Sequence, residues 1–162
     1  MYIKNNDYTA LYEPMEEKVF ERLAYDACRH MDRLTTGVDG VKKLRVAFPA
    51  EEDAATAVKH CAARIINLLH QIQEAEQSAA LARGYAQTAN GLQGKVIASV
   101  SAGNESVSFA AGSTQKTAVD LAVSDVAAKR RMIADIVREH LSGVADANGV
   151  SLLYMGVYPY AV

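Results

Sequence analysis

The chain of 162 residues has no tryptophan, only three prolines and only two cysteines. It also lacks any apolar run near the ~20 residues needed to cross a bilayer, which excludes a membrane-spanning helix. Cys28 and Cys61 are too few for a disulfide framework, and both fall inside helical patterns. They read as reduced, buried small side chains. Strong charge of either sign is missing too. With a formal net charge of −2, the chain as a whole has no strong pull toward nucleic acid or an anionic membrane. The opening "MYIKNNDYTALYEP" has no apolar core leading to a small-residue cleavage site, so no secretion signal is read and the cytoplasm is the expected place of synthesis.

Recognisable chemistry is scarce as well. His30 lies two residues after Cys28 and His60 directly before Cys61. Residues one or two apart on a helix point to different faces, so neither pair presents two metal ligands together. No C-x-x-C or H-E-x-x-H spacing occurs. The four histidines, His30, His60, His70 and His140, are scattered over three helical segments with no nucleophile arranged beside them. The acidic pairs Glu16-Glu17 and Glu51-Glu52 stand at helix starts, where the dipole accounts for them. "GSTQKT" at 112–117 invites comparison with a phosphate-binding loop, but Gln115 stands where the second glycine is needed. A capped helix start is the better reading. No catalytic, metal-ligating or cofactor-binding residue is therefore assigned, no cofactor is expected, and the sequence points away from an enzyme.

What the chain does have is helical periodicity, in a composition that is 50% apolar and dominated by small and aliphatic residues. Pro14 and two glutamates open a helix whose stripe is Phe20, Leu23, Ala27, Met31 and Leu34, closed by Thr35-Thr36-Gly37. A mixed connector holding Lys42, Lys43 and Arg45 follows, with room for one helical turn. Pro49 and Glu51 to Asp53 open a second helix expected over about 51–82, striped by Val58, Cys61, Ile65, Leu68, Ile72, Ala75 and Ala79. At ~1.5 Å per residue it is about 45 Å long, more than a domain of this size covers alone. "TANGLQGK" breaks it.

Two apolar–hydroxyl alternations, "IASVSAGNESVSF", then meet at Gly103-Asn104 and predict a β-hairpin over about 95–110. A third helix is expected from a Thr114 cap, with Ala118, Leu121, Ala122, Val126, Ile133, Ile136, Val137 and Leu141 inward. Its Lys129-Arg130-Arg131 run, with Arg138, reads first as a solvated face. A subunit interface is preferred over nucleic acid as the second reading, because no aromatics interleave to stack bases. The end, "GVSLLYMGVYPYAV", is apolar, aromatic and extended in character.

The fold class is thus mainly α: one domain over 1–162, a small bundle of three main helices, an inserted hairpin and an extended tail over about 151–162. Four stretches in that order resemble the phage head–tail connector family, the head-completion adaptors of tailed phages. "FERLAYDACRHMDRLTTG" is similar to the family's opening helix, matching its pattern at Phe20, Leu23, Ala27, Met31, Asp32 and Thr35. "AVKHCAARIINLL" stands for its second, Ala- and Ile-rich helix. "IASVSAGNESVSF" looks like its I-x-S-x-S-x-G-x-x-S-V-S-(Tyr/Phe) stretch, and "SLLYMGVYP" its G-L-L-Y-R-G-V ending. Met155 takes the place of the family's usual Arg, and "GVADANGVS" is longer than expected.

The resemblance implies a structural subunit that forms a ring of about a dozen copies under the portal and extends the DNA channel. Its partners would be itself, the portal protein and the next head-completion or tail protein. DNA would pass without sequence-specific binding, and the protein would lie at the virion head–tail interface after assembly in the host cytoplasm. The expected portal- or tail-binding residues are Leu152, Leu153, Tyr154, Met155, Gly156, Val157 and Tyr158. The expected assembly hairpin is Ser99, Val100, Ser101, Gly103, Ser106, Val107, Ser108 and Phe109. An alternative is an unrelated helical adaptor or regulatory subunit that binds a host partner through its C-terminal tail.

Overall fold

The computed structural model describes residues 1–82, 119, 122–123 and 125–160, and the backbone alone at 85–88, 91–94, 101–102 and 105–106, with side chains 79–82 also left aside. Mainly helical architecture is what it shows. The helices are α1 (Asn5–Thr9), α2 (Glu17–Thr35), α3 (Lys43–Val46), α4 (Glu52–Ala82) and α5 (Val126–Leu141). Short antiparallel pairings join β1 (Tyr85–Thr88) to β2 (Gly91–Gly94) and β3 (Ser101–Ala102) to β4 (Glu105–Ser106). In the second, Ser101 lies opposite Ser106 and Ala102 opposite Glu105. The remaining residues named for the assembly hairpin, Ser99, Val100, Gly103, Val107, Ser108 and Phe109, lie outside the described residues.

Helix α4 is the centre, with α2 and α5 both packed on it and α1 against it as well. A helix with two partners must bury two faces, and its sequence provides them. Cys61, Ala62, Ala63, Ile65 and Ile66 are all fully buried, so the apolar stripe is wider than a one-sided helix needs. The paired alanines carry little volume, which lets neighbouring backbones come close. Helix α2 adds Phe20, Leu23, Ala24, Ala27 and Met31; α5 adds Ile133, Val137 and Leu141. Val119, Ala122 and Val123 pack on the same core.

Several features differ from the sequence reading, among them the β1–β2 pairing over 85–94, where only a break was expected. Val119, Ala122 and Val123 are helical, as expected of the third helix, but the helix is interrupted at Asp125, which caps a new start at Val126 by accepting a 2.8 Å bond from Ala127 N, and Val126 is exposed rather than inward. A side-chain cap of this kind offers a local start that hydrophobic periodicity does not reveal. The Thr114 cap lies outside the described residues. The first twelve residues, given no role from sequence, form α1 and bury Ile3 and Tyr8 in the core. Tyr8 rings stack on Tyr12 at 5.4 Å and tilt against Phe20 at 5.7 Å.

Candidate functional site

After α5 the chain must reverse, and Gly143 does this with φ of 76°, in the left-handed region that side chains with a Cβ avoid. Asp146 then organises the turn before the tail. Its Oδ1 accepts from Asn148 N and Val150 N at 2.9 Å each, and Asp146 N donates to Val150 O at 2.8 Å. A bridge between Ala145 and Ser151 follows, and Leu152 N donates to Val144 O at 2.9 Å. The outcome is to point Leu152 into the core, where it is fully buried. Beyond Ser151 the tail, expected to be extended, runs in turns, its backbone held at intervals by α3 and by the loop between α2 and α3.

That loop holds the tail by polar contacts. Lys43, on α3, is 1% exposed, and its ammonium donates to the carbonyls of Ser151 (3.2 Å) and Tyr154. The same Nζ sits 5.8 Å from the centre of the Tyr154 ring. Burial pulls the Lys43 amine below its ordinary pKa, while the charges of Asp146 and Asp39 act the other way. Val38 N donates to Met155 O at 3.0 Å, and Tyr158 N donates to the Asp39 carboxylate. Bonds from the backbone of Tyr158 and then Val41 hold the Asp39 carboxyl below the usual carboxylate range.

Two further contacts fix the end of the clasp. Tyr158 is buried, its hydroxyl donating to Asp146 Oδ2 at 2.6 Å and accepting from Asn148 Nδ2 at 2.9 Å. Burial, and then the bond to Asp146, raise the phenol's pKa. Gly37 abuts the backbone carbonyl of Gly156 so closely that a Cβ there would collide with it.

The seven tail residues expected to bind a partner are therefore split. Leu152, Leu153, Gly156 and Tyr158 face the fold or its loop, while Tyr154, Met155 and Val157 face out, joined by Tyr160. Val38, 78% exposed and bonded to Met155 by its backbone, extends this outward apolar patch. Lys43, Asp39, Asp146 and Gly37 were missed as site residues. The "DANG" run at 146–149 carried a turn signal, but nothing in the basic cluster Lys42, Lys43 and Arg45 told which cation would be buried.

Elsewhere the thiols are quiet. Burial pushes Cys61 up to about 12 and raises Cys28 as well, so neither is an activated nucleophile. Among the described residues no three His, Cys, Asp or Glu side chains come together as metal ligands, and no helix is long and apolar enough to cross a membrane. No known protein family, curated protein or solved structure matches the chain.

Proposed function

We propose that this chain is a structural subunit of a phage head–tail connector, assembling into a ring beneath the portal, extending the DNA channel and joining the head to the next completion or tail protein. The observation that carries the reading is the order of four family-like stretches over residues 20–159, the last of which ends in the outward patch of Tyr154, Met155 and Val157. Apolar side chains held outside by polar anchors suit a docking element that is shaped before its partner arrives, which lowers the ordering cost of binding. The hairpin would serve assembly, since a two-stranded unit alone is marginal in water. Closed cyclic symmetry is the ordinary solution for such a subunit. No catalytic role and no cofactor are assigned.

The test is electron microscopy of the purified protein, alone at increasing concentration and mixed with isolated portal. Monomers or weak oligomers in dilute solution and rings on crowding or on the portal are expected. A tight dimer at every concentration, with no portal decoration, overturns the proposal. The double variant Met155→Asp/Val157→Asp should keep the fold and lose portal attachment. The second reading, a helical adaptor that binds a host partner through the same patch, is favoured if the patch variant loses a host protein but rings never form.

A further inference from the structure

Helix α2 turns its core stripe toward α4 and leaves a line of side chains exposed to solvent. Lys18, Arg22, Arg29 and Arg33 fall on that line at helical spacing, with Tyr25 between them, and all five are exposed. Lys129 of α5 joins their C-terminal end: like Arg33, it lies close enough for its charge to act on His30. The line from Lys18 to Arg33 is about 22 Å long at ~1.5 Å per residue. A solvated helix face ordinarily alternates charge so that i,i+4 neighbours attract. Here Lys18–Arg22 and Arg29–Arg33 are both like-charged i,i+4 pairs, an arrangement that opposes helix formation.

Nor are these cations neutralised. Among the described residues, no carboxylate lies within ion-pairing distance of Lys18, Arg22, Arg29, Arg33 or Lys129. Glu21 and Asp26 are the carboxylates on its two flanks, yet neither pairs with these cations: Arg22 turns to Gln73 Oε1 (2.5 Å) and Arg29 lies 5.8 Å over the Tyr25 ring. In contrast, the basic run on α5 is partly cancelled, with Arg131 paired to Asp125 at 3.5 Å and Arg138 to Asp135 at 2.9 Å. Half-buried His30 reports the local potential. Burial first, then Arg33, Lys129 and Arg29, hold its imidazole below the usual value against the single opposing charge of Asp26.

We infer that this face of α2, extended by Lys129, binds the phosphate backbone of duplex DNA without reading sequence. Arginines dominate it, and their planar forks suit phosphate oxygens. Along the duplex axis its length spans about six base pairs at ~3.4 Å each. Tyr25, the one aromatic on the face, is occupied by Arg29 rather than free to stack on a base. The inference does not rest on the connector reading, which is decided by rings under the microscope. If both hold, the face would grip DNA as well as let it pass.

The experiment is fluorescence anisotropy of a labelled 24-base-pair duplex of random sequence with the full chain, from 25 to 300 mM NaCl. The unmodified protein is expected to bind at 25 mM NaCl with a dissociation constant of roughly 10–100 μM, and log affinity should fall with log salt at a slope of about −3 to −4. Arg29→Glu/Arg33→Glu should weaken binding at least tenfold and flatten the slope by about 2. Arg131→Glu/Arg138→Glu, the same change in net charge on α5, should weaken it less than threefold. The inference fails if the two double variants weaken binding equally, if the α2 variant binds as the unmodified chain does, or if nothing binds at 25 mM. It also fails if polyglutamate at equal charge displaces the duplex, which would make the partner an acidic protein. Circular dichroism of each variant guards against unfolding, and Arg29→Gln/Arg33→Gln, expected to lose about threefold to tenfold, serves if the glutamates disturb the helix.

Discussion

The two end segments of the described chain meet the bundle in opposite ways. The first twelve residues put apolar groups inward: Ile3 and Tyr8 are buried, and Tyr2 sends its hydroxyl to the buried carboxylate of Asp32, which Arg45 also holds at 2.6 Å. Of its apolar and aromatic side chains, the segment after α5 commits only Leu152 and Tyr158 to full burial. It is fastened by Lys43, Asp39 and Asp146, and turns Tyr154, Met155, Val157 and Tyr160 to solvent. Apolar burial supplies most of the stability of a fold, whereas polar fastening with apolar groups outside contributes little to it. The first segment therefore belongs to the core, and the second presents a surface.

Four changes sharpen or break this contrast. Truncating the first anchor should have the largest effect: Tyr8→Ala is expected to cost about 3–5 kcal/mol, as deletion of a buried aromatic does. Urea unfolding followed by circular dichroism should show one cooperative transition moved to lower denaturant. Met155→Asp/Val157→Asp in the same assay should stay within about 0.5 kcal/mol of the unmodified chain. A large loss from the tail pair, or none from Tyr8, would break the contrast.

Next comes Lys43→Met, which keeps most of the volume but strips the donors from the Ser151 and Tyr154 carbonyls. A loss of about 1–2 kcal/mol is expected, as part-buried acceptors are left without their donor. Hydrogen exchange should quicken across 151–158 while α4 is unchanged. Comparable in size is Gly37→Ala. The new methyl meets the Gly156 carbonyl, and about 1–2 kcal/mol should be lost as the tail backbone shifts away. Its signature is faster exchange at Val38, whose N–H bonds Met155 O.

The smallest effects are those of pH. His30 and His140 are both held below the ordinary imidazole value, first by burial. The unfolded chain then takes up protons sooner than the folded one, so stability is full above about pH 6.5 and declines as pH falls below it. Asp39 and Asp7 are held below the ordinary carboxylate value, Asp39 first by the Tyr158 amide of the tail and Asp7 first by the Lys4 amide. Their contributions are full above about pH 4 and fade as pH falls through the folded values. A thermal melt series should show a shallow loss from pH 6.5 to 5. Below pH 4, Asp39→Asn should remove the acid-induced quickening of exchange in the tail, and Asp7→Asn that in the first segment. If Asp39→Asn leaves the tail's acid response intact, another group controls it.

Legibility in the sequence followed the range of the forces involved. Helices α2 and α4 were readable because Phe20, Leu23, Ala27 and Met31, or Val58, Cys61, Ile65 and Leu68, repeat at a spacing that only a helix brings onto one face. The single turn of α3 was allowed for in the connector, and the start at Glu52 fell within a residue of the expected one. The role of the first twelve residues was hidden, since Tyr2, Ile3 and Tyr8 show no periodicity over so short a span. The clasp was hidden for a different reason. Lys43 meets residues more than a hundred positions away, and a contact of that separation leaves no local trace. Density of apolar residues marked the tail as unusual, but could not tell Leu152 and Tyr158, which turn in, from Met155 and Val157, which turn out.

Lys42 and Lys43 are neighbours in sequence, yet the first is exposed and the second sealed beneath the tail. Amine-acylating reagents reach the first at once and the second only when the tail lifts. Mass spectrometry of a single peptide containing both therefore carries its own reference: Lys42 reports the reagent dose, and Lys43 reports how often the tail is away. Pulsed labelling before and after a partner is added would read the tail's seating directly, with no substitution in the chain.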